Sequence, residues 1–169
     1  NLSYADKVDR LRVNLDRLRW INEQLSDEFD GAELDEQKWQ KEPSGNGYHW
    51  IGRPPGLFKA SNVTVGDGKL RVTVGKLDRP VVIDGKRFTY QGGIVRSIHP
   101  AQVGWYYECR MRANRTAMSS TFWMITKPGK GRRLELDIQE CVGRTSDRTE
   151  PWARKWDQIF HSNTIYREQ

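Results

Sequence analysis

An all-β fold is predicted for this chain, and three observations carry the prediction. From residue 62 onward the sequence breaks into short runs in which apolar and polar residues alternate. Between the runs stand Gly66-Asp67-Gly68 and Asp84-Gly85, residues that hairpin turns favour because they tolerate positive φ. Late in the chain, Leu134, Leu136 and Ile138 alternate with Glu135 and Asp137, a period of two that belongs to a strand.

Composition narrows the function classes. A chain of 169 residues fits one domain with a substantial core. Although 30% of residues are charged, 11% aromatics and seven Trp argue against disorder. The formal charge of +6 suits a polyanion, either nucleic acid or a sulfated polysaccharide. The basic residues are scattered rather than gathered in a run, so a nucleic-acid binder has only net charge in its favour. No apolar run is long enough to span a membrane. No signal peptide stands at Asn1, so the start reads as a mature or trimmed terminus. Cys109 and Cys141 both fall in predicted strands, as two buried thiols or as one disulfide.

The chain opens on Val8, Leu11, Leu15 and Leu18 at helical spacing, which predicts a short amphipathic helix within an N-terminal extension, residues 1–24, without a catalytic role. A turn-rich entry follows, Leu25 to Gly31, then Leu34-Asp35 and Lys38-Trp39. Residues 43–58 hold three Pro and four Gly and read as a loop. Trp50 within it is either a platform for the apolar face of a sugar ring or an anchor under the sheet. Strands are then predicted at 62–66 and 69–74 around the first turn, and at 81–83 and 87–90 around the second. Further strands are expected over Tyr90–Ser97, Trp105–Arg112, Ser119–Ile125 and Lys155–Tyr166. Over Ser119–Ile125, alternation puts Phe122 and Met124 toward a core and Thr121 and Trp123 on the other face. Lys127 and Lys130 lie in the next loop, and Trp152 in a polar rim loop, 143–154. On the last strand His161 and Asn163 share a face.

The stretch from Arg133 to Cys141 carries the chemistry. Strict alternation puts Glu135 and Asp137 on one face but turns Glu140 into the core, where an unpartnered carboxylate is expensive. One extra residue in the strand, a β-bulge, re-aims Glu140 to join the other two, and bulges favour active sites. Two carboxyl groups about 5 to 5.5 Å apart can cleave a glycosidic bond with retention, one as nucleophile and the other as acid/base. Such chemistry starts with one carboxyl protonated and one ionised, a split that like-charge repulsion favours.

Glu135-Leu136-Asp137-Ile138-Gln139-Glu140 resembles the E-x-D-x-x-E signature of family 16 glycoside hydrolases, the bulged form found in agarases, porphyranases, κ-carrageenases and laminarinases. Asp27-Glu28-Phe29 through Trp39 is similar to the opening of that domain. Tyr90–Ser97 and Trp105–Arg112 resemble two of its later strands. The resemblance implies a concanavalin-like β-jelly-roll sandwich over residues 25–169, secreted or held at the cell surface or in the periplasm. It implies an endo-acting retaining hydrolase of a red-algal galactan, porphyran or agarose, with laminarinase activity as the alternative. Glu135 is then the nucleophile, Glu140 the acid/base, and Asp137 the residue between them that hydrogen-bonds Glu135. Trp50 with Arg53, Trp123 and His161 are the implied substrate-binding residues, with His161 contacting substrate or Glu135. Catalysis of this kind uses no metal; many relatives carry a structural calcium ion on the convex side, and the sequence shows no ligand cluster to assign to one. The expected partner is the polysaccharide, with neither nucleic acid nor a membrane span. The family's domain needs about as much sequence again after the catalytic strand as before it, whereas this chain ends 29 residues past Glu140. The C-terminal part of the sandwich is thus expected to be missing, or supplied by a second chain. A carbohydrate-binding jelly roll without catalysis fits the aromatics and basic residues equally, but has no use for three converging acids.

Overall fold

The computed structural model describes residues 23–45, 48–126, 133–146 and 149–167. The predicted N-terminal helix and the lysines of the 127–132 loop lie outside them. Among the described residues there are twelve strands and three short 3-10 turns. The first five strands are β1 (Trp39–Gln40), β2 (Ser44–Gly45), β3 (Tyr48–His49), β4 (Gly56–Phe58) and β5 (Val63–Val65). Then come β6 (Leu70–Val72), β7 (Gly75–Ile83), β8 (Lys86–Gly92) and β9 (Arg96–Ser97). The last three are β10 (Ser119–Ile125), β11 (Arg133–Val142) and β12 (His161–Arg167).

The entry segment is fastened by its own side chains. Asp27 accepts the Phe29 N–H at 2.7 Å through one oxygen and the Trp39 indole N–H at 2.9 Å through the other. The Phe29 and Trp39 rings then meet at 5.9 Å. This places Trp39 at the start of β1, which pairs with β9.

Both predicted turns form. Asp67 and Gly68 have φ of 53° and 63°, and Asp84 and Gly85 of 49° and 73°, the double positive φ of a type I′ hairpin turn, whose twist matches that of the strands it joins. The first turn pairs β5 with β6, Val63 opposite Val72; the second pairs β7 with β8. β7 loses register between Lys76 and Val81, the stretch containing Pro80, which has no N–H to give the ladder. β4 joins the other side of β8 in parallel, so the 43–58 segment read as a loop contributes β2, β3 and β4. Phe88 is wholly buried and Val63 nearly so. A Cβ on Gly93 would lie 2.8 Å from Val63 Cγ2 and 3.1 Å from Val72 Cγ1, so the bare glycine is what lets the β5–β6 hairpin settle over this segment.

Three strand expectations are corrected. Tyr90–Ser97 is not one strand, since β8 ends at Gly92 and β9 holds only Arg96–Ser97. Trp105–Arg112 forms no strand, because none of the described residues offers it a ladder partner. Trp156–Gln158 is a 3-10 turn, and the last strand begins only at His161. The cysteines are unpaired, with Cys109 on the exposed irregular segment and Cys141 in β11.

The sheet that carries the acids has the order β10-β11-β12, antiparallel throughout. Leu134 and Leu136 point away from the acids as expected but are 48% and 43% exposed. The core they were read as facing is not supplied by the described residues.

Candidate active site

The acid-bearing strand β11 is bulged where alternation demanded it. On β10 the partners of Phe122 and Trp123 are Gln139 and Asp137, so Ile138 is skipped. On β12 the pairs Asp137–Asn163 and Glu140–His161 leave both Ile138 and Gln139 opposite Ser162 alone. Directly paired residues share a face. Glu135, Asp137 and Glu140 therefore project from one side of the sheet, together with Trp123 and Thr121 from β10 and His161, Asn163 and Ile165 from β12. Phe122 and Met124 lie on the other side, half-buried.

The three acids sit in different surroundings. Asp137 is the central one and is buried at 4% exposure, the buried charged residue of the described chain. Glu135 and Glu140 are half-buried on either side. Glu140 has a built environment: His161 Nδ1 lies 2.9 Å from its Oε2, and Asn163 Nδ2 donates to the same oxygen at 3.4 Å. The imidazole lies against Trp156, with ring centres 4.5 Å apart and planes 35° from parallel. His161 thus contacts Glu140, not Glu135 as the sequence reading allowed. Two side chains thus converge on one oxygen of Glu140 and orient its carboxyl.

The opposite wall is aromatic. Trp50 meets Trp123 edge-on at 5.4 Å and Phe58 edge-on at 5.0 Å. Trp123 is in register with Asp137, so Trp50 reaches the acid-bearing sheet through it. The Trp50 N–H donates to Pro43 O at 3.0 Å, and the Phe58 N–H to Ile51 O at 2.8 Å. Gly52, at φ 113°, allows this loop to fold back, since a Cβ there would collide with the Gly56 carbonyl. Arg53 stands exposed at the lip, three residues from Trp50, and does not stack on it. The guanidinium that lies over a ring, at 4.3 Å, is Arg96 above Tyr48.

Tyr48, Asn163 and Trp156 belong to this site although sequence reasoning gave them no role. Burial pushes the Tyr48 phenol above its ordinary pKa; Arg133 and Arg96 pull it back and Glu135 reinforces the rise, which places it within electrostatic reach of the acid row. Asn163 was legible as sharing the face of His161. Trp156 was hidden by the strand expectation over its segment. Among the described residues no group of three His, Cys, Asp or Glu is placed to hold a metal ion, so no residue is assigned to calcium.

Known proteins share this sequence and fold. The family profile described as "Beta-porphyranase A-D, GH16 domain" matches residues 20–169. β-Porphyranase B of Zobellia galactanivorans is 47% identical over 151 residues, covering 86% of this chain and 49% of that protein. The crystal structure of porphyranase B from the same organism superposes with a TM-score of 0.76 at 45% identity, over 86% of this chain and 54% of the other. The β-porphyranase of the human gut bacterium Bacteroides plebeius superposes with a TM-score of 0.75 at 37% identity, over 88% and 55%. The chain spans about half the length of the relatives it matches, and its strands are part of a jelly-roll sandwich. The chain belongs to glycoside hydrolase family 16, in its β-porphyranase A–D branch.

Proposed function

We propose that this chain carries the catalytic strand of an endo-acting, retaining glycoside hydrolase that cleaves β-linkages in a red-algal galactan, porphyran ahead of agarose. The observation that carries the reading is the bulge at Ile138, which brings Glu140 onto the face of Glu135 and Asp137. Relatives bearing the name β-porphyranase support it.

In this reading a Glu135 oxygen attacks the anomeric carbon while Glu140 gives its proton to the glycosidic oxygen. The carbon–oxygen bond breaks and the leaving oligosaccharide departs with that proton. Water then attacks the glycosyl-enzyme, Glu140 takes the proton from it, and Glu135 is released. Two inversions leave the β configuration unchanged. Asp137, buried between the two, would in its protonated form donate a hydrogen bond to Glu135 and hold it for attack. His161 and Asn163 fix Glu140. Trp123 and Trp50 supply an apolar wall for a sugar ring, and Arg53 offers a planar fork of donors to a sulfate. The enzyme acts outside the cytoplasm or at its boundary, where the polymer is; no helix of the described residues is long and apolar enough to cross a membrane.

Proton NMR of the first reducing ends released by the full-length enzyme tests the mechanism, with β-anomer expected. First-formed α-anomer would exclude retention. Rates on porphyran, agarose and laminarin test the substrate. Faster cleavage of laminarin than of either galactan would overturn the galactan reading and leave the acids standing, and binding of galactan with no hydrolysis would make the chain a sugar-binding module.

A further inference from the structure

Beyond Glu140 the chain builds a second aromatic feature that the catalytic reading does not use. Pro151–Ala153 and Trp156–Gln158 are two 3-10 turns, and between them Trp152 and Trp156 meet edge-to-face, with ring centres 5.8 Å apart at 78°. With Ala117, Val142 and Arg144 they line a groove of about 180 Å³. Trp152 is 74% exposed, high for the residue type with the most apolar surface to hide. The groove is held from its rim. The Arg144 N–H donates to Thr116 O at 3.0 Å, and the Thr149 N–H to Ser146 O at 2.9 Å. Ser146 N–H returns a bond to Thr149 Oγ1 at 2.9 Å.

The position of this groove says what it serves. Trp156 is shared: one edge borders the groove, and its ring lies on His161 at 4.5 Å, whose nitrogen holds Glu140. The groove therefore lies beyond Glu140 along β11, at the Val142 end of the strand, where Ala117 ahead of β10 and Trp156 ahead of β12 both line it. The Trp50–Trp123 wall stands on the other side of Glu140, Trp123 being in register with Asp137. A polymer crossing the acid face has one aromatic wall on each flank, and the flank beside the acid/base receives the leaving half. We propose that Trp152, Trp156 and Arg144 form a subsite for a pyranose unit of the leaving oligosaccharide, one apolar sugar face lying on Trp152 and the ring substituents meeting the Arg144 guanidinium. The assignment rests on the hydrolase reading above. Its lining, two indoles with threonines and one cation, is that of a site which stacks a sugar and hydrogen-bonds its edge.

The test uses the full-length enzyme and reducing-end-labelled porphyran oligosaccharides. Covering roughly 60 Å² of apolar surface on Trp152 corresponds to about a tenfold gain in affinity. Trp152→Ala should therefore lower kcat/KM about tenfold for cuts that leave two or more units on the labelled side, and move cleavage toward the bond nearest the label. Trp152→Phe should keep most of the original pattern. Quenching of tryptophan fluorescence by product oligosaccharides, lost in Trp152→Ala, reads binding without turnover. Melting curves check that both variants fold, as expected for so exposed a side chain. Unchanged cleavage pattern and unchanged quenching in Trp152→Ala overturn the subsite. An unaltered enzyme that cuts no galactan overturns the hydrolase reading instead, and the quenching then decides the sugar site alone.

Discussion

Replacing His161 by Ala removes the closer of the two contacts to Glu140 and leaves Asn163 at 3.4 Å. The side chains of His161 and Glu140 are 27% and 28% exposed, so solvent screens the pair only in part. A hydrogen bond to a charged group contributes about 1.5 to 3 kcal/mol. The lower half of that range suits this exposure, and about 1.5 to 2 kcal/mol converts to a ten- to thirtyfold loss in kcat. The loss should appear in kcat rather than KM, because the bond orients the acid/base and not the ground-state substrate. Trp156 should also lose its ring partner and move. The assay is steady-state hydrolysis of one galactan by the full-length His161→Ala and His161→Gln variants, with circular dichroism to confirm folding. A kcat within twofold of the parent in a folded His161→Ala enzyme would refute the positioning argument. A rise in KM at constant kcat would show instead that His161 touches substrate.

Three further outcomes are expected. Deleting both Ile138 and Gln139 sets Glu140 directly after Asp137, so that alternation turns it toward the face of Phe122 and Met124; hydrolysis should fall by the general acid/base contribution, about 10² to 10⁴, and a loss below tenfold would show that the facing of Glu140 does not set the acid. Arg53→Ala should weaken activity on porphyran more than on agarose, by ten- to roughly hundredfold for one charge-assisted contact; equal losses on both polymers in parallel rate measurements would make Arg53 scaffolding. The 169-residue chain expressed by itself should self-associate through the half-exposed Leu134, Leu136 and Tyr166 face, and light scattering from a clean monomer with a sharp thermal transition would contradict that.

What the sequence determined by itself is local. Asp67-Gly68 and Asp84-Gly85 demanded positive φ at consecutive residues, and few backbones other than a hairpin turn meet that demand. The alternation of Leu134, Leu136 and Ile138 with Glu135 and Asp137 made β11 a strand, and the cost of burying Glu140 called for a bulge whatever strands lay beside it. Tertiary structure decided whatever depends on a partner. Trp105–Arg112 has a strand's composition but no ladder among the described residues, and a strand is a strand only when its N–H and C=O groups find another chain segment. Likewise the aliphatic face of β11 could be read as apolar but not as covered. His161 could be placed on a face, yet its choice of Glu140 over Glu135 follows from the register of β12 against β11, which the bulge itself sets. Trp152 and Trp156 meet only because two 3-10 turns bring them together, and such turns leave no periodic trace in the sequence for a pattern to find.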